Sequence, residues 1–145
     1  MGYMSEVAIT VPINAFKELV AKAKAENLDA YELIKYGDIY QTDKYTTIHF
    51  DSVKWYEDYE EVKFINSFIR NVPHVFNRIG EAFDDIESND GNITDYSIFE
   101  CINITRSLDV ANAGELISID GNGDEIIAVE GNGWDETDGC YQQAV

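Results

Sequence analysis

The spacing of the apolar side chains is the feature that most restricts the fold of this chain. In six segments, apolar residues either alternate with polar ones or form short runs, and both patterns are typical of strands. The predicted strands are residues 6–11, 46–50, 75–79, 96–105, 115–119 and 125–129, and the segment 96–105 has the strongest pattern. The residues between the last two segments, Asp-Gly-Asn-Gly-Asp at 120–124, indicate a hairpin.

Three other segments carry apolar residues at helical spacing. Asn14 is the predicted N-cap of the first helix. The capping-box pairs Asp29/Glu32 and Asp58/Glu61 predict the starts of the second and third helices. These helices fall between predicted strands, near the beginning and the middle of the chain.

This order of elements predicts an α+β fold: a single domain with a mostly antiparallel sheet and two or three helices packed on one face. The chain has 145 residues, 45% of them hydrophobic, which suffices for one core. We expect residues 1–133 to form this domain and residues 134–145 to be a flexible acidic C-terminal tail. The Gly- and Asn-punctuated acidic segment 81–95 is predicted to be a connection without strands.

Charged side chains are segregated along the chain. Residues 1–72 hold twelve acidic and eight basic residues, whereas residues 73–145 hold sixteen acidic and two basic ones, Arg78 and Arg106. The formal net charge of −18 disfavours direct binding to nucleic acid or to an anionic membrane, since both are negative themselves. A basic partner is favoured instead.

The cysteines and the N-terminal residues contain no processing or cross-linking signal. Cys101 and Cys140 are too few for a disulfide framework, and no Cys/His spacing fits zinc. The first residues lack the pattern of a signal peptide, and no apolar run reaches the length of a membrane helix. We therefore expect a reduced, cytoplasmic protein.

Metal-binding and catalytic motifs are not found either. The Asp/Gly segments around Gly91 and Asp120 do not fit the ligand pattern of an EF-hand, although weak calcium binding stays open. His49 and His74 each lie in or beside a predicted strand, where a structural role is the commoner one. There is no phosphate loop and no nucleophile elbow. We expect no enzyme activity, no cofactor and no metal site.

Two segments, residues 51–61 and residues 81–90, combine many acidic residues with aromatic ones. A folded surface with carboxylates at this density can occupy a groove built for DNA phosphates, while aromatic side chains supply buried contact area. The alternative is an acidic face that only keeps the protein in solution. The candidate partner-binding residues are Trp55, Glu57, Asp58, Tyr59, Glu60, Glu61, Asp84, Asp85, Glu87 and Asp90. Each carboxylate would stand in for a phosphate, with Trp55 and Tyr59 as anchors.

In its size, its acidic second half, and stretches such as WYEDYEE at 55–61 and DDIE at 84–87, the chain resembles a class of small anti-defence proteins. These are the anti-restriction and anti-CRISPR proteins of phages and mobile elements that act as DNA mimics. The resemblance implies a non-enzymatic inhibitor that occupies a basic DNA- or RNA-binding groove of a host defence protein in the bacterial cytoplasm. The alternative is an anti-defence or regulatory protein that binds a small ligand or a non-DNA surface of its partner.

Overall fold

The computed structural model describes residues 2–105, 108–119 and 126–128. The three α-helices are α1 (Ile13–Glu26), α2 (Leu28–Tyr36) and α3 (Glu60–Ile69), and a 3₁₀ helix spans Tyr96–Cys101. The strands are β1 (Ser5–Pro12), β2 (Asp38–Gln41), β3 (Tyr45–Val53), β4 (His74–Gly80), β5 (Ile86–Gly91), β6 (Asn103–Ile104), β7 (Leu108–Asp109), β8 (Glu115–Ile119) and β9 (Ile126–Ala128).

Seven of these strands form one sheet in the order β5-β4-β1-β3-β2-β8-β9, and every neighbouring pair is antiparallel. β6 and β7 form a separate antiparallel pair. The predicted α+β class, with a single domain and a mostly antiparallel sheet, is confirmed. The predicted hairpin partners β8 and β9 do pair, with Ile119 opposite Ile126, while the loop 120–124 and the predicted tail 134–145 lie outside the described residues.

The two faces of the sheet are covered by different layers. Along β1, Val7, Ile9 and Val11 belong to the main core, which also contains the buried side chains of α1, α2 and α3. Ala8, between them, belongs to a second cluster with Ile98 of the 3₁₀ helix and its neighbours. This arrangement follows from the alternation of side chains along a strand. The three α-helices therefore cover one face, and the segment that contains the 3₁₀ helix, β6 and β7 covers the other.

The helix starts differ from the predicted capping residues. The side chain that caps α2 is Asn27, whose Oδ1 accepts a hydrogen bond from the amide of Ala30 at 3.0 Å, so Asp29 falls inside the helix. Asn14 also lies inside its helix, because α1 begins directly after β1 and the amide of Ile13 instead donates to the carbonyl of Lys44. The capping box predicted for α3 is absent, and its N-cap, Tyr59, makes no side-chain capping bond.

Segment 96–105, the most strongly patterned of the predicted strands, is mostly a 3₁₀ helix. The carboxylate of Asp95 accepts hydrogen bonds from the amide and the hydroxyl of Ser97, at 3.0 and 2.9 Å, which starts a helical turn. Ile98 and Cys101, three residues apart, are buried, and this spacing suits a 3₁₀ helix. Conversely, the predicted connection 81–95 contains strand β5. β5 was missed because its residues are mostly polar and exposed, as suits an edge strand.

Candidate functional site

The structure places the predicted partner-binding residues on two parts of the molecule. Asp84, Asp85, Glu87 and Asp90 lie on β5 or on the turn that leads into it from β4. The segment 55–61 connects β3 to α3 and includes the first two residues of that helix. Four of the ten residues line one groove of about 470 Å³ between α3 and β5, here called the edge groove. These four are Trp55, Glu57, Glu87 and Asp90.

The edge groove is not purely acidic. Arg70, which follows α3, and His74, the first residue of β4, also line it. The imidazole of His74 is buried, and its Nδ1 lies 2.9 Å from the carbonyl oxygen of Val72. Glu60 lines a different groove, of about 660 Å³ between α1 and α3, together with Lys22 and Lys63. The ammonium group of Lys63 lies 3.5 Å from the Glu60 carboxylate.

Trp55 is a core residue rather than an exposed anchor. Only 7% of it is exposed, and its ring lies between those of Phe50 and Phe76, with centroid distances of 5.8 and 6.0 Å. A side chain packed in this way already buries its apolar area and offers little of it to a partner. Tyr59 is partly exposed and packs against Tyr56, with 4.9 Å between the ring centroids. Of the two predicted anchors, only Tyr59 presents an accessible ring.

Asp85 and Glu87 both form salt bridges with Arg78, whose single positive charge offsets one of the two negative charges. Across the β4–β5 pair, Arg78 lies opposite Glu87, with its Nε 3.1 Å from Glu87 Oε1 and its Nη2 2.7 Å from Asp85 Oδ1. The Tyr3 hydroxyl donates to Asp85 Oδ2 at 2.6 Å. The Arg78 guanidinium, assisted by Tyr3, lowers the pKa of Asp85. These two carboxylates are parts of a structural ion-pair network, which makes them poor substitutes for free phosphates.

Most acidic residues between positions 81 and 119 form no salt bridge in the described part of the chain. The described residues 81–105 and 108–119 contain no Lys or Arg and nine acidic residues: Glu81, Asp84, Asp85, Glu87, Asp90, Asp95, Glu100, Asp109 and Glu115. Within the described residues, salt bridges to this set come from Arg78 and from Lys44, which lies 3.4 Å from Asp95. Asp84, Asp90 and Glu100 are exposed and take part in none of these pairs.

Exposed aromatic side chains lie in the turn before β5 and in the 3₁₀ helix. Phe83, in the turn before β5, is 80% exposed, and Tyr96, at the start of the 3₁₀ helix, is 77% exposed. The ring of Tyr96 stacks on that of Phe99, with 6.3 Å between centroids. Phe99 and Asp90 line a shallow groove of about 270 Å³ between β5 and β6. We call residues 81–91 and 96–104 together the acidic edge surface.

Sequence reasoning missed these aromatic residues for identifiable reasons. Phe83 lies in the acidic segment 81–90, but the contacts predicted from this segment are acidic residues alone, because the sequence does not show that Phe83 stays outside the core. Tyr96 begins the segment 96–105, which is predicted as a strand, whereas the structure places it, exposed, at the start of the 3₁₀ helix.

One cluster could hold a metal ion. The candidate ligand atoms of Glu6, His49 and Asp51 all lie within 4.8 Å of one another. Glu6 and His49 belong to the neighbouring strands β1 and β3, and Glu6 Oε2 is 2.7 Å from His49 Nε2. No other group of three or more such ligands occurs among the residues that the structure describes.

The helices in the described ranges do not combine the length and apolar character needed to cross a bilayer. Comparisons with protein-family models, with curated proteins and with solved structures gave no match to this chain.

Proposed function

We propose that this protein is a non-enzymatic inhibitor whose acidic edge surface occupies a basic DNA- or RNA-binding groove on a host defence protein, either a CRISPR effector or a restriction enzyme. It would act as a nucleic-acid mimic in the bacterial cytoplasm. The observation that carries the proposal is the absence of Lys and Arg from residues 81–105, where seven acidic residues stand. Grooves that bind nucleic acid present arrays of Lys and Arg, and an uncompensated acidic surface is complementary to them.

The carboxylates best suited to replace phosphates are Asp84, Asp90 and Glu100. They are exposed, and they form no salt bridge within the described residues. Asp85 and Glu87 would have to exchange their bonds to Arg78 for bonds to the partner, so their net gain is smaller. Glu57, which shares the edge groove with Asp90, extends the acidic area toward α3.

Phe83, Tyr96 and Phe99 are the proposed anchors, in place of Trp55. Protein interfaces owe most of their affinity to a few residues, and aromatic side chains are prominent among them. Tyr59, predicted from the sequence, remains a candidate on the α3 side. Aromatic side chains that stand among carboxylates combine apolar burial with charge complementarity, as a specific inhibitor needs.

The test is inhibition of DNA cleavage by purified CRISPR effectors and restriction enzymes, with charge-matched variants. The variant D84N/D90N/E100Q removes three negative charges from the acidic edge surface. The control E18Q/E26Q/E32Q removes three exposed charges from α1 and α2. We expect the first variant to inhibit at least about tenfold less strongly at low salt, and the control to inhibit like the unmodified protein. Equal loss in both variants, or inhibition of none of the nucleases, would overturn the proposal.

The groove between α1 and α3 favours a second candidate function, the binding of a small ligand by a regulatory protein. Its lining places the apolar rings of Phe64 and Phe68 beside polar side chains such as Glu18, Lys22 and Lys63, which could orient a bound molecule. Binding there would not weaken when the acidic edge surface is neutralised. The same pair of triple variants therefore separates the two functions, since E18Q removes one carboxylate from this groove.

A further inference from the structure

We propose that Glu6, His49 and Asp51 form a binding site for one zinc ion. The site lies on the sheet face that carries the second layer and is separate from the carboxylates assigned to partner binding. It does not depend on the proposed function. Its ligands come from the neighbouring strands β1 and β3, which are held in register along most of their length.

The distances between the three ligand groups fit a single ion. Zinc bonds to nitrogen and oxygen ligands are about 2.0–2.2 Å long, so two ligands of one tetrahedral ion lie roughly 3.4 Å apart. The Glu6 and His49 atoms are 2.7 Å apart, and the whole set lies within 4.8 Å. The first separation would therefore have to lengthen by about 0.7 Å, and the others would have to shorten by at most about 1.4 Å, to reach the tetrahedral spacing.

The surrounding structure holds the ligands in place. The amide of Leu108, on β7, donates a hydrogen bond to Glu6 Oε2 at 3.3 Å, which fixes that carboxylate from the second layer. The side chains of His49 and Glu6 are only 11% and 17% exposed, whereas Asp51 is exposed. A site with two enclosed ligands and one at the surface leaves room for a water molecule in the fourth position.

The local charge also favours a cation. Asp38 is the cross-strand neighbour of His49, which adds a third carboxylate to those of Glu6 and Asp51. The pKa of Tyr40 is raised, chiefly by burial and further by the negative charges of Asp38 and Asp51. Within the described residues, no Lys or Arg forms a salt bridge with any of these carboxylates. A divalent ion would offset their mutual repulsion.

The ligand types favour zinc over the harder cations. One imidazole nitrogen with two carboxylates is a borderline donor set, which zinc accepts in four-coordinate sites. Calcium takes six to eight oxygen ligands, and magnesium prefers an octahedral shell of oxygens. The cluster supplies too few oxygens for calcium and an imidazole that magnesium does not favour.

The test is a titration with zinc chloride, followed by NMR of the two imidazole side chains. We expect the His49 resonances to shift with saturation at one equivalent, and those of His74, which lines the edge groove, to stay unchanged. Asp51→Asn removes one ligand at an exposed position without disturbing the Glu6–His49 contact, so it should fold and bind zinc at least about tenfold more weakly. Asp29→Asn, on α2, carries the same charge change and should bind like the unmodified protein.

Zinc binding that leaves the His49 resonances unshifted would place the ion elsewhere in the protein and would overturn the proposal. Equal zinc affinity in the Asp51→Asn and Asp29→Asn variants would also overturn the proposal, as would the absence of binding at micromolar zinc. A rise in thermal unfolding temperature with zinc, absent in Asp51→Asn, provides a second supporting readout.

Discussion

Single side chains decide which of the acidic and aromatic residues are available to a partner. Trp55 and Phe83 lie in similar acidic sequence surroundings, yet the first is in the core and the second is 80% exposed. Likewise, Asp84 and Asp85 are consecutive, but Arg78 holds only the second of them in a described salt bridge. The sequence shows the density of acidic and aromatic residues, whereas the roles of individual residues depend on contacts with distant strands.

Trp55 and Phe83 should therefore respond in opposite ways to truncation. Trp55→Ala should destabilise the fold by roughly 3–5 kcal/mol, because it leaves a cavity between Phe50 and Phe76. Phe83→Ala should change stability by less than about 0.5 kcal/mol and weaken nuclease inhibition. Urea unfolding and an inhibition assay on both variants check this. A stable Trp55→Ala variant would contradict the core placement.

The Asp85–Arg78 pair predicts a pH-dependent contribution to stability. The pKa of Asp85 is lower in the folded protein than in the unfolded chain, so its ionised form stabilises the fold. This contribution is complete above the unfolded-state pKa of about 3.9 and is lost as the pH falls through the lower folded-state pKa. Asp85→Asn should thus lower the unfolding temperature at pH 7 and approach the unmodified protein at lower pH.

Asp84→Asn provides the matched control for that experiment. Asp84 is the neighbouring residue, it is exposed, and it forms no salt bridge in the described part of the chain. Its neutralisation should not lower the unfolding temperature at pH 7. If the two variants gave the same profile between pH 7 and pH 3, the pairing of Asp85 with Arg78 would not stabilise the fold.

At the scale of secondary-structure elements, the sequence predicted best those with a clear apolar face. The three α-helices and strands β1, β3, β4 and β8 lie close to their predicted positions. β5 was missed because an edge strand with little burial has no apolar alternation to read. The strand predicted for segment 96–105 was wrong. The capping bond of Asp95 and the burial of Ile98 and Cys101, three residues apart, favour a 3₁₀ helix over the strand that the short apolar alternation indicates.

The residue that precedes β8, Gly114, must be a glycine for the backbone to keep its conformation. Its φ is 106°, in the region that residues other than glycine rarely adopt. A Cβ atom there would also overlap the backbone of Gln41 on β2. Gly114→Ala should destabilise the fold by at least about 1 kcal/mol. Gly91→Ala, where the atoms nearest to the new Cβ belong to the imidazole of His74, should be milder in the same urea unfolding measurement.

Over the whole molecule, the uneven distribution of basic residues along the sequence becomes an uneven distribution between layers. The helices and the residue that follows α3 carry Lys17, Lys22, Lys24, Lys35, Lys63 and Arg70. The described residues of the second layer carry none. Sequence reasoning could therefore predict an acidic surface and its second-half location. It could not predict that Arg78 neutralises part of that surface, or that Glu6, His49 and Asp51 meet, because strand register brings these residues together.

The measurement that tests the central claim most directly is the salt dependence of affinity for an inhibited nuclease, with DNA as competitor. If the acidic edge surface occupies the DNA site, affinity should fall steeply as salt rises, and DNA should displace the inhibitor. The D84N/D90N/E100Q variant should show a shallower salt dependence than the E18Q/E26Q/E32Q variant. Affinity that is insensitive to salt, from an inhibitor that stays bound in excess DNA, would contradict the account.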